Sequence, residues 1–255
     1  MEILGIDVGG SALKGAIVDV QSGKMLTERV RIATPEGGKP EDMAQVAGQI
    51  VEQLNWKGPI GCGFPAVVKK GVSYSAANVD KSWIGTSVSE LFSKYTHCPV
   101  YTANDADVAG LAEMEFGAGK EYYNDVVLIL TLGTGIGTAL FSEGHLMPNM
   151  ELGHIEIRGK DAEKRASAAQ RTNKKLSYRR WAEHLQEYLE HMEALINPDV
   201  IILGGGISKD ADKFMQYLNT RAKLLTAVLL NQAGIVGAAM YAKQQLSAAE
   251  NTAKS

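Results

Sequence analysis

The stretch "ILGIDVGGSALKGAIVDV" places Asp7, the pair Gly9 and Gly10, Ser11 and Lys14 between two apolar runs. Its spacing fits neither G-x-x-x-x-G-K-[ST] nor a G-x-G-x-x-G that opens a helix, the two best-known phosphate motifs. Two further clusters, Gly133-Gly135-Gly137 and Gly204-Gly205-Gly206, also follow strongly apolar runs. Glycine lets a turn take a positive φ and lets backbone N–H groups close on an anion with no Cβ in the way. Each cluster alone reads equally well as an ordinary hairpin. Three of them at strand ends, two in matching positions, point to the handling of phosphate.

Two other stretches carry groups suited to work beside a phosphate. In "TANDADVAG", Asn104 and Asp105 stand where a strand ends and a helix begins. A carboxylate there is either a helix cap or a general base that takes the proton of an attacking hydroxyl, with Asn104 bonding the substrate. In "ELGH", Glu151 and His154 have the spacing for paired hydrogen bonds to neighbouring sugar hydroxyls. A thiolate metal site is not expected, because Cys62 and Cys98 are the only cysteines and neither lies in a Cys/His cluster. His184 and His191, with Glu187 between them, read as ordinary helix positions.

The elements that must hold these groups follow from periodicity. Ile3 to Asp7, Leu13 to Val20 and Leu26 to Ile32 read as three strands joined by short turns, an antiparallel meander. A helix is expected from Glu41 to Leu54 behind Pro40, then strands at "PIGCGFP" and over 99–103, and a helix from Asp105 to Phe116. The polar stretch "AVVKKGVSYSAANVDKSWIG" reads as a long functional loop. The pattern then restarts: "DVVLILTLGTGIGTALFSEG" repeats the plan of "MEILGIDVGGSALKGAIVDVQSG", the mark of a duplicated domain. Trp181, Leu185, Tyr188, Leu189, Met192, Leu195 and Ile196 define an amphipathic helix with Ser177 as its N-cap. A buried strand, "DVIILGGGIS", and a last helix over 234–246 complete the set, with "SAAENTAKS" as a frayed tail.

With 45% hydrophobic and 22% charged residues the chain has an ordinary globular composition. No apolar run approaches the roughly 18 residues of a membrane span, and nothing at the N-terminus reads as a cleaved leader, so a cytoplasmic protein is expected. The net charge of −3 is unevenly spread. Between Arg158 and Arg180 stand nine Lys or Arg against Asp161 and Glu163, leaving −10 for the remainder. Such a patch suits a polyanionic partner as well as a solvated face. A nucleic acid is not expected, since only Tyr178 and Trp181 offer rings for stacking.

Taken in order and spacing, "LGIDVGGSALKGAIVD", "NDAD", "LTLGTGIGTAL", "ELGH" and "LGGGIS" resemble the ROK family of sugar kinases in the actin, hexokinase and Hsp70 superfamily. The resemblance covers nearly the whole chain. It implies an α/β fold of two ribonuclease H-like (actin-like ATPase) domains, 1–109 and 110–255, with a cleft between them. Typical members carry a zinc-binding C-x-C-G-x-x-G-C cluster after the Glu-x-Gly-His motif. Here that stretch has no cysteine, and together with "SAANVDKSWIG" it resembles the polyphosphate glucokinase branch, so no structural zinc is expected.

The resemblance implies phosphoryl transfer to the 6-hydroxyl of glucose from inorganic polyphosphate, ATP or both. Asp105 is then the base, and Asn78, Asn104, Glu151 and His154 orient the sugar. Gly9, Gly10, Ser11, Thr134, Gly135 and Gly205 hold donor phosphates, and Asp7 acts through Mg²⁺ or its waters. Lys14 either touches a phosphate or points to solvent. Arg165, Arg171, Lys174, Lys175, Arg179 and Arg180 are candidates for a polyphosphate path, which favours that donor over ATP. A strictly ATP-dependent glucokinase, or a kinase for another hexose or N-acylhexosamine, is the alternative. The family's sugar-responsive repressors carry a winged helix before the first strand, which here starts at Ile3, so that role is not expected. A homodimer is.

Overall fold

Leu4, Ile6 and Val8 lie on one side of a strand and Ile3, Gly5 and Asp7 on the other, and all four apolar side chains are fully buried. A strand apolar on both faces belongs in the middle of a sheet. This is where the computed structural model, which describes residues 1–77 and 79–254 and the side chains up to 251, places it. Strand β1 (Glu2–Val8) is flanked by β2 (Ala12–Asp19) and β5 (Ile60–Phe64). The sheet runs β3 (Lys24–Met25), β2, β1, β5, β8 (Val100–Asn104), and β4 (Val30–Ala33) also pairs with β2. β1 and β2 are antiparallel, while β1, β5 and β8 are mutually parallel.

The expected third strand over 26–32 is two short ones. The hydroxyl of Thr27 accepts the N–H of Ile17 at 3.1 Å, so the ladder is broken between β3 and β4. Helices α1 (Pro40–Gln53) and α2 (Val88–Thr96) cover one face, burying Met43, Ala47, Ile50 and Phe92 with Leu4, Ile6 and Val8. The polar loop before α2 contains a small hairpin, β6 (Val68–Lys69) with β7 (Val72–Ser73), and is anchored by fully buried Trp83. The Trp83 ring packs 4.6 Å from Phe64, and its indole N–H donates to the Gly38 carbonyl at 2.9 Å. Helix α3 (Asp105–Phe116) leaves the end of β8.

The second sheet repeats the plan with β11 (His145–Met147), β10 (Ile136–Ser142), β9 (Val126–Leu132), β14 (Val200–Gly204) and β15 (Lys223–Thr226). Again the first three strands are antiparallel neighbours and the last two are added in parallel. Between β11 and β14 the chain forms the hairpin β12 (Glu156–Ile157) and β13 (Lys160–Asp161), short helices α4 (Glu163–Ala166) and α5 (Ala168–Asn173), and the long α6 (Tyr178–Ile196). Ser177 caps α6 by accepting the Arg180 N–H at 3.2 Å. Trp181, Leu185, Tyr188, Leu189 and Met192 bury the inner stripe of α6 against Leu128, Leu130 and Leu132.

The compact units are Met1–Ala112 with Gln232–Ser255, and Glu113–Asn231. The expected domains are 1–109 and 110–255; the compact units divide after Ala112 and return the chain from Gln232 onward to the first. Helix α7 (Ala233–Lys254) returns to the first sheet. A Cβ on Gly5 would lie 2.0 Å from the Ile235 carbonyl oxygen, and one on Gly61 would lie 1.8 Å from that of Ala238. Only bare backbone at these two positions lets the helix lie so close. The expected frayed tail is likewise helical to Lys254, in keeping with its alanine content. Among the described residues no helix is long and apolar enough to cross a membrane.

Candidate active site

At the turn end of β1 and β2, Asp7 stands directly opposite Lys14, and Lys14 Nζ lies 2.9 Å from Asp7 Oδ2. Both side chains are mostly covered, at 20% and 25% exposure, so Lys14 neither points freely to solvent nor stands ready as a lone cation. Asp7 is on the α7 face, beside Gly234 in the first turn of that helix, where a negative charge is favoured by the helix dipole. The turn beyond is closed by the Gly9 N–H on the Ala12 carbonyl at 3.0 Å. It is braced by Thr34, whose hydroxyl donates to Gly9 O at 2.6 Å and whose N–H donates to Ser11 O at 3.2 Å. Gly10 and Ser11 are exposed, and the space a Gly10 Cβ would take is open.

The expectation of positive φ at the glycine clusters fails for both hairpins. Of the cluster glycines only Gly205 adopts it, at φ 81°. At Gly135 a Cβ would crowd Glu163 and at Gly9, less tightly, the Ala12 carbonyl, while at Gly10 and Gly133 the space is open.

At the β8–α3 junction the cap falls to Asn104. Asn104, buried at 6% exposure, is the cap: its Oδ1 accepts the N–H groups of Ala106 and Asp107 at 2.9 and 3.0 Å, and its Nδ2 donates to Ala66 O at 3.0 Å. One amide hydrogen of Asn104 is left over by these bonds. Asp105, half-buried in the first turn of α3, accepts the Ala106 N–H at 2.8 Å. Asn104 thus positions Asp105 by fixing the helix start. Asn78 lies outside the described residues.

In the second unit, "ELGH" forms a tight turn against the start of β10. A Gly153 Cβ would lie 2.2 Å from the Ile136 carbonyl oxygen, which explains the glycine of the motif. Thr138 pins the segment, its hydroxyl donating to Met150 O and accepting the Leu152 N–H at 3.2 Å. His154 is held between carboxylates, with Nε2 3.7 Å from Glu151, and Nδ1 3.6 Å from Asp161 and 4.0 Å from Glu163. Loss of hydration raises the Glu151 carboxyl above its usual range even though its outer face is open; His154 opposes that shift and Glu163 adds to it. Asp161 is lowered by its hydrogen bond to Lys164.

Glu163 is the residue that spacing did not reveal. Its Oε2 accepts the Ile136 N–H at 3.3 Å, and a Cβ on Gly135 would meet that oxygen at 2.3 Å. It therefore joins His154 to the second glycine turn, whose tip, Thr134, is exposed. His154, Asp161 and Glu163 present ligand atoms all within 4.8 Å of one another, which suits a cation as well as a ring of hydroxyls. Gly205 brings the third cluster to the second: its Cβ would lie 2.5 Å from Leu132 O, one residue before Gly133.

The basic window is largely spent within the protein. Arg158 and Arg165 share Glu187, Lys164 pairs with Asp161, and Arg180 with Glu183. Arg171 stacks 4.2 Å from the Tyr178 ring centre and donates to Leu176 O. Lys174 reaches the Lys164 carbonyl at 3.4 Å. Arg165, Arg171 and Arg180 thus have partners in place, unlike Lys175 and Arg179, which form no ion pair among the described residues. His184 and His191 bond backbone carbonyls, in line with ordinary helix positions.

Residues 3–171 match the model of the ROK family. Polyphosphate glucokinase of Mycobacterium tuberculosis is 46% identical over 237 residues, spanning 92% of this chain and 89% of that protein. The chain belongs to the ROK family. The crystal structure of inorganic polyphosphate/ATP-glucomannokinase from Arthrobacter sp. strain KM superposes on this ROK protein with a TM-score of 0.92 at 45% identity, covering 96% of this chain and 99% of that one. A ROK family glucokinase from Streptomyces griseus, in complex with glucose and AMPPNP, shares the fold at a TM-score of 0.80 and 24% identity, over 96% and 100% of the two chains. The repeated sheets are those of the actin-like ATPase fold.

Proposed function

We propose that this protein transfers a phosphoryl group from inorganic polyphosphate to the 6-hydroxyl of glucose. The observation that carries the reading is the 46% identity to mycobacterial polyphosphate glucokinase over nearly the whole chain. In the first unit, Asp105 takes the proton of the attacking hydroxyl, and the cap made by Asn104 holds Asp105 in place for it. A positioned base of this kind contributes roughly 100- to 10,000-fold. The remaining Asn104 amide hydrogen and Asn78 serve the sugar. In the second unit, Glu151 and His154 bind its hydroxyls, with Glu163 and Asp161 orienting the imidazole.

Donor phosphates are held by backbone and hydroxyl donors at Gly9, Gly10 and Ser11 in the first unit and at Thr134, Gly135 and Gly205 in the second, with Lys174 and Arg179 as cations for the chain beyond. Lys14 serves the terminal phosphate by exchanging its Asp7 carboxylate for a phosphate oxygen. The hard carboxylate oxygen of Asp7 suits Mg²⁺ or its water shell, and the ion would neutralise charge on the transferring group. The protein works in the cytoplasm, as a homodimer.

A second reading has support from the Arthrobacter kinase, whose name includes both ATP and mannose. In it ATP also serves as donor and mannose as acceptor. A coupled assay for glucose 6-phosphate with polyphosphate or ATP as sole donor tests both. Turnover with polyphosphate is expected, and its absence leaves the ATP-only reading. In Asp105→Asn, turnover should be lost with either donor while glucose affinity measured by calorimetry stays near that of the parent; retained turnover would place the base elsewhere.

A further inference from the structure

Residues 164–182 hold seven Lys or Arg and no Asp or Glu. Such a run in a chain of net charge −3 is costly unless something neutralises it. Glu187, Asp161 and Glu183 reach in from outside the run to neutralise Arg165, Lys164 and Arg180, and Arg171 lies on Tyr178. Besides Arg171, which lies on a ring, three cations of the run form no ion pair with a carboxylate among the described residues: Lys174, Lys175 and Arg179. All three crowd the corner where α5 ends and α6 begins. The first turn of α6 carries two arginines and no acid. A helix N-terminus disfavours cations by about 0.3–1 kcal/mol each, so local stability does not account for this arrangement.

The position of the corner relative to the second glycine turn is set by α5. The Ala169 N–H donates to Gly133 O at 3.0 Å, so α5 starts on that turn. Its six residues then carry the chain roughly 9 Å away. A phosphate chain whose end is held at Thr134 and Gly135 and which follows α5 reaches the corner only with its distal groups.

We propose that Lys174, Lys175 and Arg179 form a distal phosphate site that reads donor length, favouring long polyphosphate over short. This rests on the polyphosphate reading above and narrows it, assigning Arg165, Arg171 and Arg180 to the scaffold. The site adds affinity for the chain without touching the transferred group.

The test compares the parent with a Lys174→Ala, Lys175→Ala, Arg179→Ala triple variant. KM is measured for tripolyphosphate and for long-chain polyphosphate across a range of salt, and the thermal midpoint of each protein is measured to establish folding. For long chains the KM should rise on the order of tenfold. The slope of log KM against log salt should fall by about 2, since a flexible polyanion loses about 0.7 per phosphate contact. For tripolyphosphate the rise should be much smaller. Lys160→Ala, which removes a cation outside the corner, should leave the chain-length profile as in the parent.

An equal rise for short and long chains, or an equal effect of Lys160→Ala, would overturn the site. So would loss of single-stranded oligonucleotide binding with an unchanged polyphosphate profile, which would make the corner a nucleic-acid contact. A parent enzyme without polyphosphate turnover would instead bring down the donor reading itself, and this inference with it.

Discussion

The hairpin of β1 and β2 and that of β9 and β10 share apolar strands, a glycine turn closed by the N–H of its first glycine, and two parallel strands added beside the first. One pair back from the turn they part. The first sets Asp7 against Lys14, and the second sets Thr131 against Gly137. Duplication has kept the scaffold and let the ionic pair stand in only one copy. The second hairpin receives its acid from elsewhere, as Glu163, whose Oε2 is occupied by the Ile136 N–H and whose Oε1 faces His154. The first turn thus carries its acid within its own hairpin, paired with Lys14, and the second draws its acid from a later segment that also faces His154.

The largest expected effect tests this asymmetry. In Asp7→Asn, kcat should fall by about 100- to 1,000-fold, the range for removing one preorganised electrostatic group, whereas Thr131→Val should cost less than tenfold by the same steady-state assay. Equal losses would mean that the two hairpins do the same work.

Gly205→Ala comes next. It forces a side chain into a left-handed backbone and against Leu132, and should lower unfolding free energy by about 2–3 kcal/mol in urea titration. Gly10→Ala, where the space is open, should leave stability within about 0.5 kcal/mol and raise the donor KM instead. A large stability loss at Gly10 would make it a fold glycine like Gly205.

In Lys14→Met, a rise of about tenfold in donor KM is expected, the loss of one charge-assisted contact, with a lower Mg²⁺ requirement as Asp7 loses a competing cation. The smallest effect concerns pH. With its carboxyl raised, Glu151 protonates at a higher pH than an ordinary glutamate, so glucose KM should begin to rise early as pH falls. The sign for stability is opposite to the usual acid: ionising Glu151 costs the folded state as pH rises from its unfolded to its folded value. Glu151→Gln should flatten both dependences, and a parent profile retained in that variant would assign the limb to another group.

The strands, the duplication and the junction at Asn104 and Asp105 could be read directly because each is local: an apolar run, a glycine, a polar pair at a boundary. What stayed hidden depends on partners far along the chain. Glu163 counted only as one acid in a basic window, because its role comes from bonds to Ile136 and His154. The six basic residues looked interchangeable until Glu187 and Glu183 selected which were already engaged. Gly5 and Gly61 carry no local mark of their role, since the carbonyls of Ile235 and Ala238 that require them lie far downstream.

The return of α7 to the first sheet carries a consequence for how the protein is made. Synthesis delivers β1 more than 200 residues before α7, the helix that covers its Asp7 face. Until then the glycine-lined side of β1 and β5 has no cover, and the apolar side chains beside it face water. The surroundings of Asp7 are therefore completed only when Gly234 and the first turn of α7 have been made. A chain cut before residue 233 lacks the helix whose backbone packs on Gly5 and Gly61.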